Sequence, residues 1–122
     1  MIKKRKIRNT DLEVSELGMG TAPIGGWPVA VNSDQAHGTL NAAWKNGIRY
    51  FDTAPLYGSG MAEERLGKFL KEKKRNEFVV ATKVGRLVVP SLEGNEKFKG
   101  QDPNKDTRSE ERRVGKECRS RW

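Results

Sequence analysis

The segment GIRYFDTAPLYGSGMAEERLGKFL, residues 47–70, decides the fold. It opens with the short apolar run from Ile48 to Phe51, which predicts a strand. A loop rich in glycine and proline follows this run. Beyond the loop, apolar residues recur at the spacing of a helix, at Ala62, Leu66, Phe69 and Leu70. The segment therefore predicts one strand–loop–helix unit.

A similar unit precedes this one. The run from Leu17 to Gly20 is predicted to be a short strand, and the segment 21–32, rich in glycine and proline, is predicted to be a loop. Ser33 occupies the position of an N-cap, so the next helix is predicted to begin there. Its buried face is predicted from residues at helical spacing, namely Ala36, Leu40, Ala43 and Trp44. Gly47 is expected to end this helix in the left-handed conformation.

The order of the elements predicts an α/β fold. The apolar, β-branched run from Phe78 to Thr82 predicts a third strand. Strands near residues 18, 50 and 80 recur about every thirty residues, which is the period of βα units that build a parallel sheet. Residues 3–8 and 12–17 flank a turn-forming cluster and predict an N-terminal hairpin. From Pro90 to Trp122 no strand or helix with an apolar face is predicted.

The positive charge lies mainly at the two ends of the chain. The net charge is +8, and residues 108–122 contribute six positive and three negative side chains to it. A second basic run covers Lys3 to Lys6. Aromatic residues are not interleaved with basic ones, as a single-strand binder requires. We therefore expect solvated ends and no nucleic-acid partner, and salt-dependent retention of DNA would favour the opposite reading.

The numbers of cysteine and histidine residues argue against disulfide-rich and metal-binding proteins. With the single cysteine Cys118 and the single histidine His37, we expect no disulfide framework and no metal site. No stretch approaches the roughly 18 apolar residues that span a bilayer. We therefore expect a cytoplasmic protein without a membrane partner, and the sequence leaves the oligomeric state open.

Polar side chains follow two neighbouring predicted strands. Asp52 ends the second strand, and Lys83 follows the third. Because adjacent strands lie roughly 5 Å apart, we expect Asp52 and Lys83 to form an ion pair, with Tyr57 folded over it. A nearby ammonium favours the phenolate form of a tyrosine, and such a tyrosine can exchange a proton with a carbonyl or an alcohol. The spacing therefore indicates an acid–base site.

Each of these three residues also has a purely structural explanation. Asp52 could cap a turn, Lys83 could be a solvated charge, and Tyr57 could be a packing anchor. Taken one at a time, these explanations are the more ordinary ones. The catalytic interpretation depends on all three residues meeting at consecutive strand ends.

The first loop holds two further candidates. Its glycines, between Gly18 and Gly26, would let a flat ring or a phosphate approach the backbone. Pro23 occupies the third glycine position of a dinucleotide fingerprint, and the helix begins ten residues later, so a Rossmann-type site is excluded. Trp27 lies in the same loop, above the predicted pocket, and is a candidate for lining a substrate site.

These motifs, at their spacings, resemble the aldo-keto reductase family over roughly residues 5–90. The segments that carry the resemblance are LGMGTAPIGG (17–26), residues 47–70 and FVVATKVGR (78–86). The resemblance implies a (β/α)8 TIM barrel, of which this chain would supply an N-terminal β-hairpin that closes the bottom and about three βα units. It also implies hydride transfer between NADP or NAD and a small-molecule carbonyl, alcohol or sugar substrate.

Residue by residue, Asp52, Tyr57 and Lys83 match three of the family's four catalytic positions. The resemblance makes Tyr57 the general acid or base and makes Asp52 and Lys83 the residues that tune it. Gly20, Thr21 and Asp52 match family positions near the nicotinamide and its ribose. These assignments are expectations about the cofactor-binding and catalytic residues of this chain.

The family's fourth catalytic residue is a histidine after the fourth strand. It has no counterpart in this sequence, because His37 belongs to the first predicted helix. The motifs most resemble the branch that contains aldose 1-dehydrogenases, such as fucose dehydrogenase, and pyridoxal 4-dehydrogenase. The alternative is a non-catalytic interaction protein on the same scaffold, as in the channel-associated members of the family.

The last fifteen residues, RSEERRVGKECRSRW, depart from the family pattern. They are similar to the translation of a sequencing-library adapter, and a genuine basic tail is the alternative. We therefore divide the chain into an N-terminal part of a barrel domain, 1–107, and a non-native tail, 108–122. The fragment itself is expected to be inactive, with apolar residues such as Val79 and Phe51 lacking the neighbours that would cover them.

The division at residue 107 makes a prediction about the gene. Resequencing the locus downstream of the Thr107 codon is expected to reveal five more βα units, with a histidine after the next strand. The reason is that the matched motifs account for only the start of the family's barrel. A natural stop codon directly after Trp122 would contradict this expectation.

Overall fold

The structure, a computed structural model, describes residues 2–88 and 107–109, and it begins with the predicted hairpin. Strands β1 (Lys4–Lys6) and β2 (Glu13–Ser15) pair in antiparallel fashion. Thr10 closes the turn between them, since its Oγ1 donates a hydrogen bond of 2.6 Å to the carbonyl oxygen of Ile7. A polar turn residue thus satisfies the backbone where the ladder ends, and the prediction of a hairpin is confirmed.

Three short strands form the parallel sheet that the thirty-residue period predicts. They are β3 (Met19–Gly20), β4 (Tyr50–Asp52) and β5 (Val79–Ala81), in the spatial order β3-β4-β5. The register places Gly20 beside Asp52 and Asp52 beside Ala81. All three strands therefore end at one edge of the sheet, which we call the carboxyl edge, and the residues that follow them emerge together.

Helices connect these strands as predicted. Helix α1 (Ser33–Lys45) lies between β3 and β4, and helix α2 (Met61–Leu70) lies between β4 and β5. Short 3₁₀ helices, Pro23–Gly25 and Arg75–Glu77, precede α1 and β5. Within the described ranges, neither α-helix reaches the length and apolar character that crossing a membrane requires.

The predicted N-cap of α1 is wrong by one residue, although the helix begins at Ser33. Asn32, not Ser33, is the N-cap: its Oδ1 accepts a hydrogen bond of 2.8 Å from the backbone N–H of Gln35. In return, the Gln35 side chain accepts a hydrogen bond of 3.0 Å from the backbone N–H of Asn32. Asparagine and serine are comparable caps, and this reciprocal pair selects Asn32. At the other end, Gly47 has φ +91°, as the left-handed stop requires.

The hydrophobic core lies between the sheet and the two helices. Phe51, in the middle of β4, is fully buried in one cluster with Leu40 of α1 and Phe69 of α2. The expectation that Phe51 lacks covering neighbours is therefore wrong, because both helices fold onto its face of the sheet. Full burial of such a side chain stabilises the fold by about 1.5–3 kcal/mol. Val79 is half-buried and Val80 is 36% exposed, so uncovered apolar surface lies along β5 instead.

Two further strands were not predicted. Strands β6 (Arg86–Val88) and β7 (Thr107–Ser109) form an antiparallel ribbon. Strand β7 lies in the stretch from Pro90 onward, for which no strand with an apolar face was predicted, and its three residues are all polar. Strands of three residues are too short to display a period-two pattern. The remainder of the predicted tail lies outside the described residues, and its assignment stays a prediction.

The hairpin lies at the end of the sheet opposite the carboxyl edge. Ser15 at the end of β2 accepts a hydrogen bond of 3.3 Å at its Oγ from the backbone N–H of Arg49, the residue before β4. A cavity of about 340 Å³ lies between the hairpin and the start of β5, with Leu12 and Val79 among its lining residues. The hairpin thus occupies the place that closing the bottom of a barrel requires.

The uncovered surface along β5 predicts self-association of the 122-residue chain. In the described part of the chain, β5 pairs only with β4, and unpaired apolar strand edges promote aggregation. We expect the chain expressed alone to aggregate or to be partly disordered. Val80→Lys should reduce its light scattering more than Val84→Lys, the same change at a residue that is 90% exposed outside the strand. A soluble monomer with a sharp, cooperative thermal transition would contradict this prediction.

Candidate active site

The sheet register brings Asp52 and Lys83 together. Asp52 is the last residue of β4, and Lys83 follows the end of the neighbouring strand β5. The Lys83 Nζ donates a hydrogen bond of 2.7 Å to the Asp52 Oδ1 and a second of 3.0 Å to the carbonyl oxygen of Thr53. The predicted ion pair is therefore present at the carboxyl edge.

Tyr57 lies over this ion pair. The Lys83 Nζ is 5.1 Å from the centre of the Tyr57 ring, within the range of a cation–π contact. The backbone N–H of Tyr57 donates to the carbonyl oxygen of Ala54 over 3.1 Å, and its own carbonyl oxygen accepts from the backbone N–H of Ala62 over 3.0 Å. Tyr57 is thus held at both backbone groups, and the structure brings together the three side chains on which the catalytic interpretation depends.

The electrostatics of the cluster centre on Lys83. The hydrogen bond to the Asp52 carboxylate raises the pKa of Lys83 above its ordinary value of 10.5. Partial burial opposes this shift, and the neighbouring Tyr57 hydroxyl adds to it. The side chains of Lys83 and Asp52 are 50% and 41% exposed, so solvent moderates their attraction. Lys83 is therefore an ammonium at neutral pH, beside a phenol.

Gly20 and Thr21 lie next to Asp52 at the end of β3. Thr21 is fully buried, and both its backbone N–H and its Oγ1 donate hydrogen bonds of 2.9 Å to the carbonyl oxygen of Asp52. Gly20 has open space where a side chain would project, since no atom lies within 4 Å of a Cβ built there. Thr21 therefore fixes the backbone of Asp52, while Gly20 leaves the neighbouring surface uncovered.

Trp27 is the one predicted site residue that the structure does not bring to the cluster. It is 51% exposed in the loop after the first 3₁₀ helix, and its backbone N–H makes a long hydrogen bond of 3.4 Å to the carbonyl oxygen of Ala22. Within residues 2–88, its described contacts do not include the side chains of Asp52, Tyr57 or Lys83. Trp27 stays a prediction for the substrate site.

Sequence reasoning missed two residues that support the cluster. Glu63, in the first turn of α2, accepts a hydrogen bond of 2.6 Å from the Oγ1 of Thr82, the residue before Lys83. Thr53 supplies a carbonyl oxygen to Lys83, and its own buried Oγ1 has no partner among the described residues. Glu63 could have been found from the sequence, since it is an acidic residue early in the helix that follows the second loop. Nothing in the local pattern points to the Thr53 carbonyl.

The cluster lies at the carboxyl edge of parallel strands, which is the edge where α/β barrel enzymes generally place their active sites. The sequence profile of the Aldo/keto reductase family matches residues 16–120. Since this match covers most of its length, the chain belongs to the aldo/keto reductase family.

Curated relatives agree with the branch that the motifs indicate. The chain is 52% identical over 82 residues to D-threo-aldose 1-dehydrogenase of a Pseudomonas species, covering 67% of this chain and 25% of the relative. It is 47% identical over 92 residues to pyridoxal 4-dehydrogenase of Microbacterium luteolum, covering 75% of this chain and 27% of the relative. The chain thus spans about a quarter of the length of these relatives.

Solved structures confirm the fold class. An aldo-keto reductase of Bacillus halodurans in its holo form superposes with a TM-score of 0.62 at 35% identity, covering 84% of this chain and 31% of that one. The glycerol dehydrogenase of Gluconobacter oxydans gives a TM-score of 0.60 at 36% identity, with 95% and 33% covered. These neighbours are TIM barrels, so the predicted partial (β/α)8 TIM barrel is confirmed, and the described strands form an open part of it.

The contact between Asp52 and Lys83 makes a prediction about the titration of Lys83. In the folded protein, NMR titration of the lysine side chains should place the pKa of Lys83 above 10.5, and Asp52→Asn should lower it, because a neutral amide favours the ammonium less than a carboxylate does. Glu64→Gln, which removes the carboxylate partner of Lys68, is the matched control and should leave Lys83 unchanged.

The same contact predicts the direction in which the free energy of unfolding changes with pH. Because the folded-state pKa of Lys83 lies above the unfolded one, the stabilisation from this pair is complete below about pH 10.5 and is lost as the pH rises through the raised pKa. Identical titration of Lys83 in the wild type and in Asp52→Asn would show that the pair does not persist in solution.

Proposed function

We propose that the whole protein is an NAD(P)-dependent oxidoreductase that interconverts a carbonyl compound and an alcohol. The observation that carries this proposal is the cluster at the carboxyl edge, in which Lys83 lies 2.7 Å from Asp52 and 5.1 Å from the centre of the Tyr57 ring. Membership of the aldo/keto reductase family and relatives named as dehydrogenases support it.

Tyr57 is the proposed general acid or base. In the reductive direction its hydroxyl gives a proton to the carbonyl oxygen as that oxygen gains negative charge, and in the oxidative direction its phenolate takes the proton of the alcohol. The Lys83 ammonium stabilises the phenolate side of this exchange electrostatically. Asp52 keeps Lys83 charged and fixes its position through the 2.7 Å contact.

The cofactor of this reaction is NADP or NAD, and when bound it supplies or accepts the hydride. Two features of this chain suit such a cofactor. The open space at Gly20 lets a flat ring approach the backbone. The partly exposed carboxylate of Asp52, directly beside it, can accept a hydrogen bond from a sugar hydroxyl. Thr21, buried against the Asp52 backbone, would act by holding Asp52 in place.

The substrate class is a small-molecule carbonyl, alcohol or sugar. One relative is named for aldoses and another for pyridoxal, which are an aldehyde-forming sugar class and an aldehyde. Trp27, half exposed in the first loop, is the proposed apolar contact for such a substrate. A cytoplasmic location is part of the same proposal. The 122-residue chain itself is proposed to be inactive, because its described residues form three parallel strands in an open sheet.

Removal of one hydroxyl tests the role of Tyr57. In the whole protein, expressed from its locus, Tyr57→Phe should lower kcat by at least about 100-fold, the usual contribution of a general acid or base. Affinity for NADPH and NADH, measured by fluorescence, should change little. Tyr50→Phe is the matched control, since Tyr50 is the other tyrosine of these 122 residues and lies within β4. Turnover is followed by nicotinamide absorbance with aldehydes and aldoses.

The result also separates the catalytic proposal from its alternative. Retention of wild-type turnover in Tyr57→Phe would contradict the assigned role. Tight binding of NADPH or NADH by the wild type with no turnover of any aldehyde or sugar would instead favour a non-catalytic interaction protein on the same scaffold.

A further inference from the structure

We propose that Gly25 is a positioning residue for Tyr57, acting through direct backbone contact between the loops that follow β3 and β4. This proposal rests on the proposed acid–base role of Tyr57. It extends that role to a residue more than thirty positions away in the sequence, on a different loop.

The contact leaves no room for a side chain at Gly25. A Cβ built on Gly25 would lie 2.8 Å from the carbonyl carbon of Tyr57 and 2.9 Å from its carbonyl oxygen. A Cβ on Gly58 would collide with the carbonyl oxygen of Gly25, and Gly58 also has φ +65°. The atoms in question belong to backbone, which cannot rotate away as a flexible side chain can. The two loops therefore touch only because both residues are glycine.

The loop that carries Gly25 is anchored at two residues that precede the contact, Thr21 and Ile24. Before it, Thr21 donates two hydrogen bonds of 2.9 Å to the carbonyl oxygen of Asp52. Beside it, the Arg65 Nη1 on α2 donates a hydrogen bond of 2.5 Å to the carbonyl oxygen of Ile24, which is 1% exposed. Because these anchors hold the 3₁₀ helix, a side chain added at Gly25 would displace Tyr57 more readily than its own loop.

A displacement of the Tyr57 backbone would also move the Tyr57 ring. Its carbonyl group contacts Gly25 on one side and accepts the hydrogen bond from Ala62 at the start of α2 on the other. Moving the carbonyl carbon from 2.8 Å to the 3.4 Å or more of an ordinary contact would carry the ring along, away from its place 5.1 Å from the Lys83 Nζ. One loop thus sets the positions of both Asp52 and Tyr57.

The test compares Gly25→Ala with Gly38→Ala in the whole protein. Gly38, in α1, has no atom within 4 Å of a Cβ, so it receives the same methyl group in open space. Misplacing a reacting group by about 1 Å can cost about 100-fold in rate. We therefore expect Gly25→Ala to lower kcat by at least about tenfold. The dissociation constants of NADPH and NADH should stay within about twofold of the wild type, and Gly38→Ala should match the wild type in both measurements.

A spectroscopic readout reports the position of Tyr57 without turnover. The tyrosine ring carbons are labelled with ¹³C, and the Tyr57 signal is assigned by its loss in Tyr57→Phe. This signal should shift in Gly25→Ala and stay in place in Gly38→Ala. A general loss of stability would not move it selectively, because the Tyr50 signal serves as an internal reference in the same spectrum.

A second variant covers the case in which Gly25→Ala does not fold. Arg65→Met removes the hydrogen bond to the Ile24 carbonyl without adding volume at the contact. It should lower kcat in the same direction by a smaller factor and broaden the Tyr57 signal. Arg65→Lys, which keeps a cationic donor, should restore part of the loss.

The outcomes distinguish the positioning role of Gly25 from the proposed acid–base role of Tyr57. Wild-type kcat in Gly25→Ala, or a loss of kcat with an unmoved Tyr57 signal, overturns the positioning role and leaves the proposed reaction intact. Wild-type turnover in Tyr57→Phe overturns the proposed reaction, whatever the signal of Tyr57 does in Gly25→Ala.

Discussion

The pairing of β4 with both of its neighbours is the constraint on which the described structure depends. It places Asp52 beside Gly20 on one side and beside Ala81 on the other. Phe51, one residue earlier, points into the core and is fully buried. A shift of one residue would exchange the two faces, exposing the phenyl ring and burying the carboxylate. The burial of Phe51 therefore fixes the register that brings Asp52 to the carboxyl edge, within reach of Lys83.

The ion pair at that edge matters more for geometry than for stability. Both partners are substantially exposed, and exposed pairs contribute only about 0–1 kcal/mol. What the pair provides is a charged amine at a defined place beside Tyr57. Stability comes instead from the apolar cluster between the sheet and the helices, which includes Leu40, Leu66 and Phe69. The fold thus supplies the rigid support, and the polar residues at its edge need contribute little to folding.

The sequence carries much of this arrangement because its signals are local. Apolar residues at helical spacing identify α1 and α2, and a polar residue directly after an apolar run identifies Asp52 and Lys83 as strand-end residues. Where two neighbouring residues are equally good caps, the sequence does not show which one is used, and at α1 the N-cap is Asn32 in place of the predicted Ser33. The strands β6 and β7 are too short to show a period.

Contacts between distant segments leave no local pattern at all. The approach of Gly25 to Tyr57 joins two loops, and a glycine-rich loop by itself predicts only flexibility. The cover over Phe51 was likewise missed, because burial depends on how α1 and α2 are docked onto the sheet.

Substitutions of the polar residues around the end of β4 should differ in whether they also disturb the backbone. Thr21 donates to the carbonyl of Asp52, and Lys83 donates to the carbonyl of Thr53, so both terminate the strand in the way that a capping residue terminates a helix. Loss of either side chain removes a backbone partner as well as a polar group near the chemistry. Among the described hydrogen bonds, the Tyr57 hydroxyl donates to neither of these carbonyl oxygens, so its deletion leaves both strand-end contacts in place. At Tyr57, therefore, loss of one hydroxyl would remove the proposed proton-transfer group while the scaffold stays intact.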